Sequence, residues 1–192
     1  MTPLTAPAPT PSPRRKRWNR DEYHRLAEQG WLGTLRWELI QGEIVEVMPQ
    51  SPTHSTGIMR LVLALVPIFG LEFVRTQLPI VLGPLNEPEP DIVVTAGTVA
   101  DYASQQPGAE DIRLLVEVSS TTLRDDLSVK AALYAQAGIP EYWVLDLENR
   151  RLYVHRNPNA SGWGAIQNLG ETEHIAPLAA PQASLSIAQL LS

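Results

Sequence analysis

A strand that is apolar on both faces persists only inside a sheet with a layer packed on either side, and residues 112–118, IRLLVEV, read as such a strand. A chain carrying it must supply neighbouring strands and covering helices, which points to the α/β class, or α+β: a mixed sheet flanked by helices. Past Arg113 at its start, one residue interrupts the run, Glu117. A second carboxylate, Asp91, opens another apolar stretch, EPEPDIVVT. An ionised carboxylate is costly to bury unless it is paired or binds a metal, so two of them beside one sheet point to a metal site. Period-two alternation places Glu117 and Ser119 on one face of their strand and Val116, Val118 and Ser120 on the other.

The remaining chain reads as scaffold for that pair. Met1 to about Pro13 (MTPLTAPAPTPSP) is rich in Pro, Thr and Ala and is expected to be an extended, disordered tail. A basic run follows, with Arg14, Arg15, Lys16, Arg17 and Arg20, whose charges are either solvated or available to phosphates. The tail is drawn to residue 17 and a single domain over residues 18–192. Asn19 or Asp21 caps a short helix that stops near Gly30. RWELIQGEIVEVM reads as a hairpin turning at Gln41-Gly42. Ser51-Pro52 opens a helix of about four turns with Ile58, Leu61, Val62, Leu65 and Phe69 facing the core, ended by Pro67 and Gly70. LEFVRT, QLPIVL and PDIVVT are candidate strands, the second weakened by Pro79. A polar loop spans about Ala96 to Glu110. DDLSVKAALYAQAG predicts a helix capped by Asp125 or Asp126 and closed at Gly138. EYWVLDL and RLYVHR are strands joined at Glu148-Asn149-Arg150, with a short strand from about Gly164 to Leu169. SLSIAQLLS docks as a short turn or helix.

Composition excludes several classes. With no cysteine, thiolate metal sites, disulfides and cysteine catalysis are ruled out. A net charge of −6 argues against a protein that coats nucleic acid, though it permits an enzyme with a local basic face. No apolar run approaches the ~20 residues of a bilayer span, and the first residues lack a signal peptide's apolar core. The expectation is a cytoplasmic protein with no membrane partner. The chain has no Gly-rich phosphate loop, no GxSxG elbow and no HExxH helix.

Mg²⁺ and Mn²⁺ take a few carboxylate oxygens and keep several waters, and such an ion can activate water against a phosphate. Pro90-Asp91 followed by Glu117-Val118-Ser119 resembles the PD-(D/E)XK nuclease signature. WELIQGEIVEV, SPTHS, EPEPDIVV, LLVEVSSTTLRDDLSVKAALYAQAGIPEYWVLD and RLYVHR, in that order, are similar to the Uma-two family of restriction endonucleases from about Tyr23 to Arg156. The resemblance implies a restriction-endonuclease-like fold, an Mg²⁺ (or Mn²⁺) cofactor and hydrolysis of DNA phosphodiester bonds. It implies Asp91 and Glu117 as metal ligands. Ser119 stands where the signature carries a lysine, and the resemblance implies that Lys130, on the following helix, substitutes as the third catalytic residue.

Read without the resemblance, Lys130 forms an exposed helix pair with Asp126, four residues earlier, worth only ~0.3–0.5 kcal/mol. His54, in the first turn of its helix, is a supporting candidate for a phosphate or a metal-bound water, or a solvated helix-start residue. Glu43 and Glu38 are candidates for a further acidic ligand or solvent-facing hairpin residues, and Gln77 is a candidate from a strand. Tyr134, Tyr142 and Trp143 read as packing, and His155 and His174 show no ligand spacing. DNA is the expected partner, and a homodimer is expected because cutting both strands commonly pairs two sites. The competing class is a catalytically inactive nuclease-fold binding module, favoured by the displaced lysine and a pI near 5.2.

Overall fold

The computed structural model describes residues 15–191, so the expected Pro-rich tail falls outside the described residues. The first helix, α1 (Arg20–Glu28), starts at Asn19, whose side chain accepts from the Glu22 N–H while Glu22 reaches back to the Asn19 N–H. The hairpin follows as β1 (Trp37–Ile40) and β2 (Glu43–Glu46), and both turn residues, Gln41 and Gly42, have positive φ. That turn also contacts the residues at the expected tail boundary. The Trp18 N–H donates to the Gly42 carbonyl at 2.8 Å, Lys16 pairs with Glu22, and a Cβ at Gly42 would lie 2.8 Å from that of Arg17. Residues 16–18 therefore run along the hairpin turn and α1, with Lys16 and Arg17 exposed.

Next is α2 (Pro52–Phe69), N-capped by Ser51. It runs through Pro67, which costs one hydrogen bond in the last turn, and ends at Gly70 with φ 91°. Among the described residues, α2 is the one helix long and apolar enough to cross a membrane, closer to that length than the sequence reading allowed. Gly57, Ile58, Leu61 and Leu65 are buried, with the three larger residues packed in the sheet-facing core as in a core helix.

The main sheet has six strands, β3 (Val74–Thr76), β4 (Ile92–Thr95), β5 (Ile112–Ser119), β6 (Glu141–Asp146), β7 (Arg151–Asn159) and β8 (Gly162–Leu169), adjacent in that order. Only β5 and β6 pair in parallel. A parallel pair needs a crossover, here α3 (Leu123–Asp125), a π-helical segment Asp126–Lys130 and α4 (Ala131–Gln136), continuous over residues 123–136. A small pair, β9 (His174–Ile175) and β10 (Leu185–Ser186), leads into α5 (Ile187–Leu191). QLPIVL forms no strand. Gln77 has positive φ, Pro79 lacks a donor, and only Val81 bridges, to Gly108. LEFVRT begins as a 3-10 turn and yields only the short β3.

β5 is covered on both faces. Leu114, Val116 and Val118 face α2 and α5, while Leu115 joins Tyr134, Ile139, Tyr142 and Val144 beneath α4. α2 approaches β5 closely at Gly57, where an added Cβ would sit 2.9 Å from Val118 Cγ1 and 3.3 Å from Leu147. Helix propensity favours alanine there by about 1 kcal/mol, but the branched Val118 cannot give way freely. Gly57→Ala is therefore expected to lose roughly 1–2 kcal/mol net in urea denaturation; an unchanged or higher midpoint would show that α2 shifts at no cost.

Candidate active site

β4 and β5 are antiparallel with Ile92 opposite Val116, so Asp91 and Glu117, one residue further on each, meet at one end of the sheet. The Val118 N–H donates to Asp91 Oδ2 at 2.8 Å, and the Asp91 N–H points to Glu117 Oε2 at 3.4 Å. Asp91 Oδ1 lies 3.0 Å from His54 Nε2 and 3.5 Å from Gln77 Nε2. Glu117 Oε1 accepts from Lys130 Nζ at 3.0 Å and from Tyr134 Oη at 2.9 Å. Lys130 Nζ is also 3.6 Å from Glu38 Oε2, while Glu38 Oε1 accepts from the Glu89 N–H at 3.1 Å.

Of the sequence candidates, the structure brings together Asp91, Glu117, Lys130, His54 and Gln77. Glu43 does not join them; it is exposed on β2 at the cleft wall. The acidic hairpin residue in the cluster is Glu38, which is buried, contrary to its reading as solvent-facing. The reason is a partner some fifty residues on: Leu39 exchanges backbone hydrogen bonds with Glu87, so residues 87–89 cover β1. The apolar neighbours Trp37, Leu39 and Ile40 were the available signal. Tyr134, read as packing, also holds Glu117; it lies one helical turn beyond Lys130 and so on the same face. The Lys130–Asp126 surface pair does not form. Asp126 is buried and Lys130 half-buried, and Asp126 Oδ2 instead accepts from Ser119 Oγ and from Thr122 Oγ1.

Burial alone would push the Lys130 ammonium down, but Glu117, Glu38 and Asp126 hold it above the usual lysine range. Burial pushes Glu117 well up, opposed by Lys130 and reinforced by Asp91, Asp126 and Glu38. The two upward shifts pull against each other, since a proton on Glu117 would remove the charge that holds the proton on Lys130. The ammonium is the firmer of the two, because Glu38 and Asp126 also face it. One ammonium among Asp91, Glu117 and Glu38 leaves negative charge that a further cation would neutralise.

These residues open on a cleft of about 540 Å³. Among the described residues, eight carboxylates line it, Glu46 and Asp125 besides Glu38, Glu43, Glu89, Asp91, Glu117 and Asp126, against two cations, Arg36 and Lys130. Among the described residues, no three of His, Asp and Glu form a ready-made metal cage. Two carboxylates beside a roomy cleft do not suit Zn²⁺, which takes three or four protein ligands. They fit Mg²⁺ or Mn²⁺, which take few protein oxygens and keep their waters.

Comparison with known proteins identifies the family and the fold. The profile of a family described as "Uma2: Putative restriction endonuclease" matches residues 20–188. A crystal structure described as "a putative nuclease belonging to DUF820 from Anabaena variabilis" superposes with a TM-score of 0.70 at 20% identity, covering 89% of this chain and 96% of that one. At that identity the likeness shows the fold, which is restriction-endonuclease-like. No curated protein matches the chain.

Proposed function

We propose that this chain, which belongs to the Uma2 family, is an Mg²⁺- or Mn²⁺-dependent nuclease that hydrolyses phosphodiester bonds in DNA. The observation that carries the reading is the convergence of Asp91, Glu117 and Lys130 at one end of the sheet, on a cleft able to admit a phosphate. Asp91 and Glu117 would hold the ion. When bound, it would polarise a phosphoryl oxygen and lower the pKa of water.

The protein's own groups divide the remaining work. Lys130, held as an ammonium, stabilises charge developing on the phosphate and orients the attacking water; it is not a base. Tyr134 donates to Glu117 and fixes its rotamer. His54 and Gln77 lie against Asp91 Oδ1 and orient that carboxylate. The carboxylate-rich cleft repels a bare phosphodiester, and a cation held by Asp91 and Glu117 would offset that repulsion.

The same excess of carboxylates and the lack of a ready-made cage favour a second reading, a nuclease-fold binding module without catalysis. Titration calorimetry with Mn²⁺ separates the two. The parent is expected to bind the ion and to nick supercoiled plasmid, and Asp91→Asn is expected to lose both. No heat and no nicking with the parent would favour the binding module.

A further inference from the structure

We propose that Asp126 is a positioning residue that aims Lys130 at Glu117, with Ser119 acting through it; this rests on the role given to Lys130 above. Ser119 lies two residues past Glu117 on the same face of β5 and is fully buried. A cation on that face would reach the site directly, but a serine cannot supply one. Instead its hydroxyl donates to Asp126 Oδ2, which also accepts from Thr122 Oγ1 at 2.6 Å.

The backbone of Asp126 is fixed as well. Its carbonyl accepts from Tyr142 Oη at 3.0 Å and from the N–H of Ala131, five residues on, which makes Asp126–Lys130 a π turn. Such a turn holds one residue more than an α turn, and an inserted residue rotates the side chains that follow by about 100°. In an unbroken α-helix Lys130 would lie over Asp126, the i,i+4 pair expected from the sequence. In the observed geometry Asp126 is occupied by two hydroxyls, and Lys130 swings to Glu117 and Glu38. The Lys130 charge acts on Asp126 through space, but the Asp126 carboxylate takes its hydrogen bonds from neutral hydroxyls. Such a buried carboxylate is costly to keep for stability alone, since apolar packing serves as well. What it supplies here is the register of the helix that delivers the lysine.

The chain has only two lysines, Lys16 and Lys130, and their side chains are 56% and 19% exposed. Reductive methylation followed by peptide mass spectrometry therefore reads the Lys130 environment directly, with Lys16 as internal reference. In the parent, Lys130 is expected to react several-fold more slowly than Lys16. In Asp126→Ala, folded by circular dichroism, its rate should approach that of Lys16, and plasmid nicking should fall about 100-fold, the effect of a misplaced catalytic group. Asp126→Asn keeps an acceptor for both hydroxyls and should restore the slow methylation and most of the nicking. If Asp126→Ala does not fold, Ser119→Ala and Thr122→Val remove the donors one at a time and are expected to speed Lys130 methylation. A folded variant without the anchor in which Lys130 stays as protected as in the parent overturns the proposal. If the parent itself does not nick DNA, the nuclease reading fails, while methylation still decides whether Asp126 places the lysine.

Discussion

Glu117→Gln is expected to reduce metal-dependent cleavage of plasmid DNA by about 10³-fold, the scale of losing a charge-stabilising group in an enclosed site. The substitution removes little else. Glutamine keeps the length of the side chain and a carbonyl oxygen to accept from Lys130 and Tyr134, which bond Glu117 Oε1 at 3.0 and 2.9 Å. What is lost is the negative charge, one of the two that would bind the ion. Stability should be kept. Burial disfavours the ionised form of Glu117, so a neutral amide relieves that cost; Lys130 loses its nearest counter-charge but retains Glu38 and Asp126, and the melting temperature should hold. Lost cleavage with an intact melting temperature identifies a site built for charge. Cleavage at the parental rate would remove Glu117 from the chemistry.

How far such a site can be read from sequence depends on whether its residues are placed by local pattern. Asp91 and Glu117 are: Asp91 opens an apolar strand, Glu117 interrupts another, and period-two alternation says which face Glu117 takes. The Ser51-Pro52 start of α2, the Gln41-Gly42 turn and the Gly138 stop are equally local, because each rests on the φ or donor requirement of one or two residues. Glu38 is not. Its burial comes from residues 87–89 lying along β1, a pairing with no local signature. QLPIVL fails for the converse reason, since its apolar residues Ile80 and Leu82 reach the core from an irregular segment and need no strand to do so. Lys130 lies between these cases. Its helix is evident from composition, but the direction of its side chain depends on a π turn whose cause is a hydroxyl on the preceding strand.

The largest stability loss is expected far from the cleft, at Arg156→Ala. Glu141, the first residue of β6, is fully buried and is held by Arg156 Nε at 2.8 Å and Nη2 at 2.5 Å, by Trp143 Nε1 at 2.9 Å and by the Leu178 N–H at 2.7 Å. Arg156 also donates to the Ala176 carbonyl at 2.7 Å, so the pair ties residues 176–178 to the interior strands β6 and β7. Those residues lie between β9 and β10, which lead into α5, where Ile187 and Leu190 pack in the core shared with α2. Removing the guanidinium leaves a buried carboxylate without its counter-charge, a loss of about 3–5 kcal/mol. Whole domains of this kind are stable by only about 5–15 kcal/mol, so the melting temperature should fall by roughly 6–20 °C. Glu141→Gln/Arg156→Met removes both charges together and keeps an amide for Trp143 and Leu178, so it should recover most of that loss. Urea denaturation of the two variants tests the argument: a single variant within ~1 kcal/mol of the parent would mean the pair behaves as a solvated surface bridge. If instead the single variant is severely destabilised and the double is not, the damage lies in the stranded charge, and the C-terminal segment is held to the sheet by electrostatic pairing as well as by its apolar contacts.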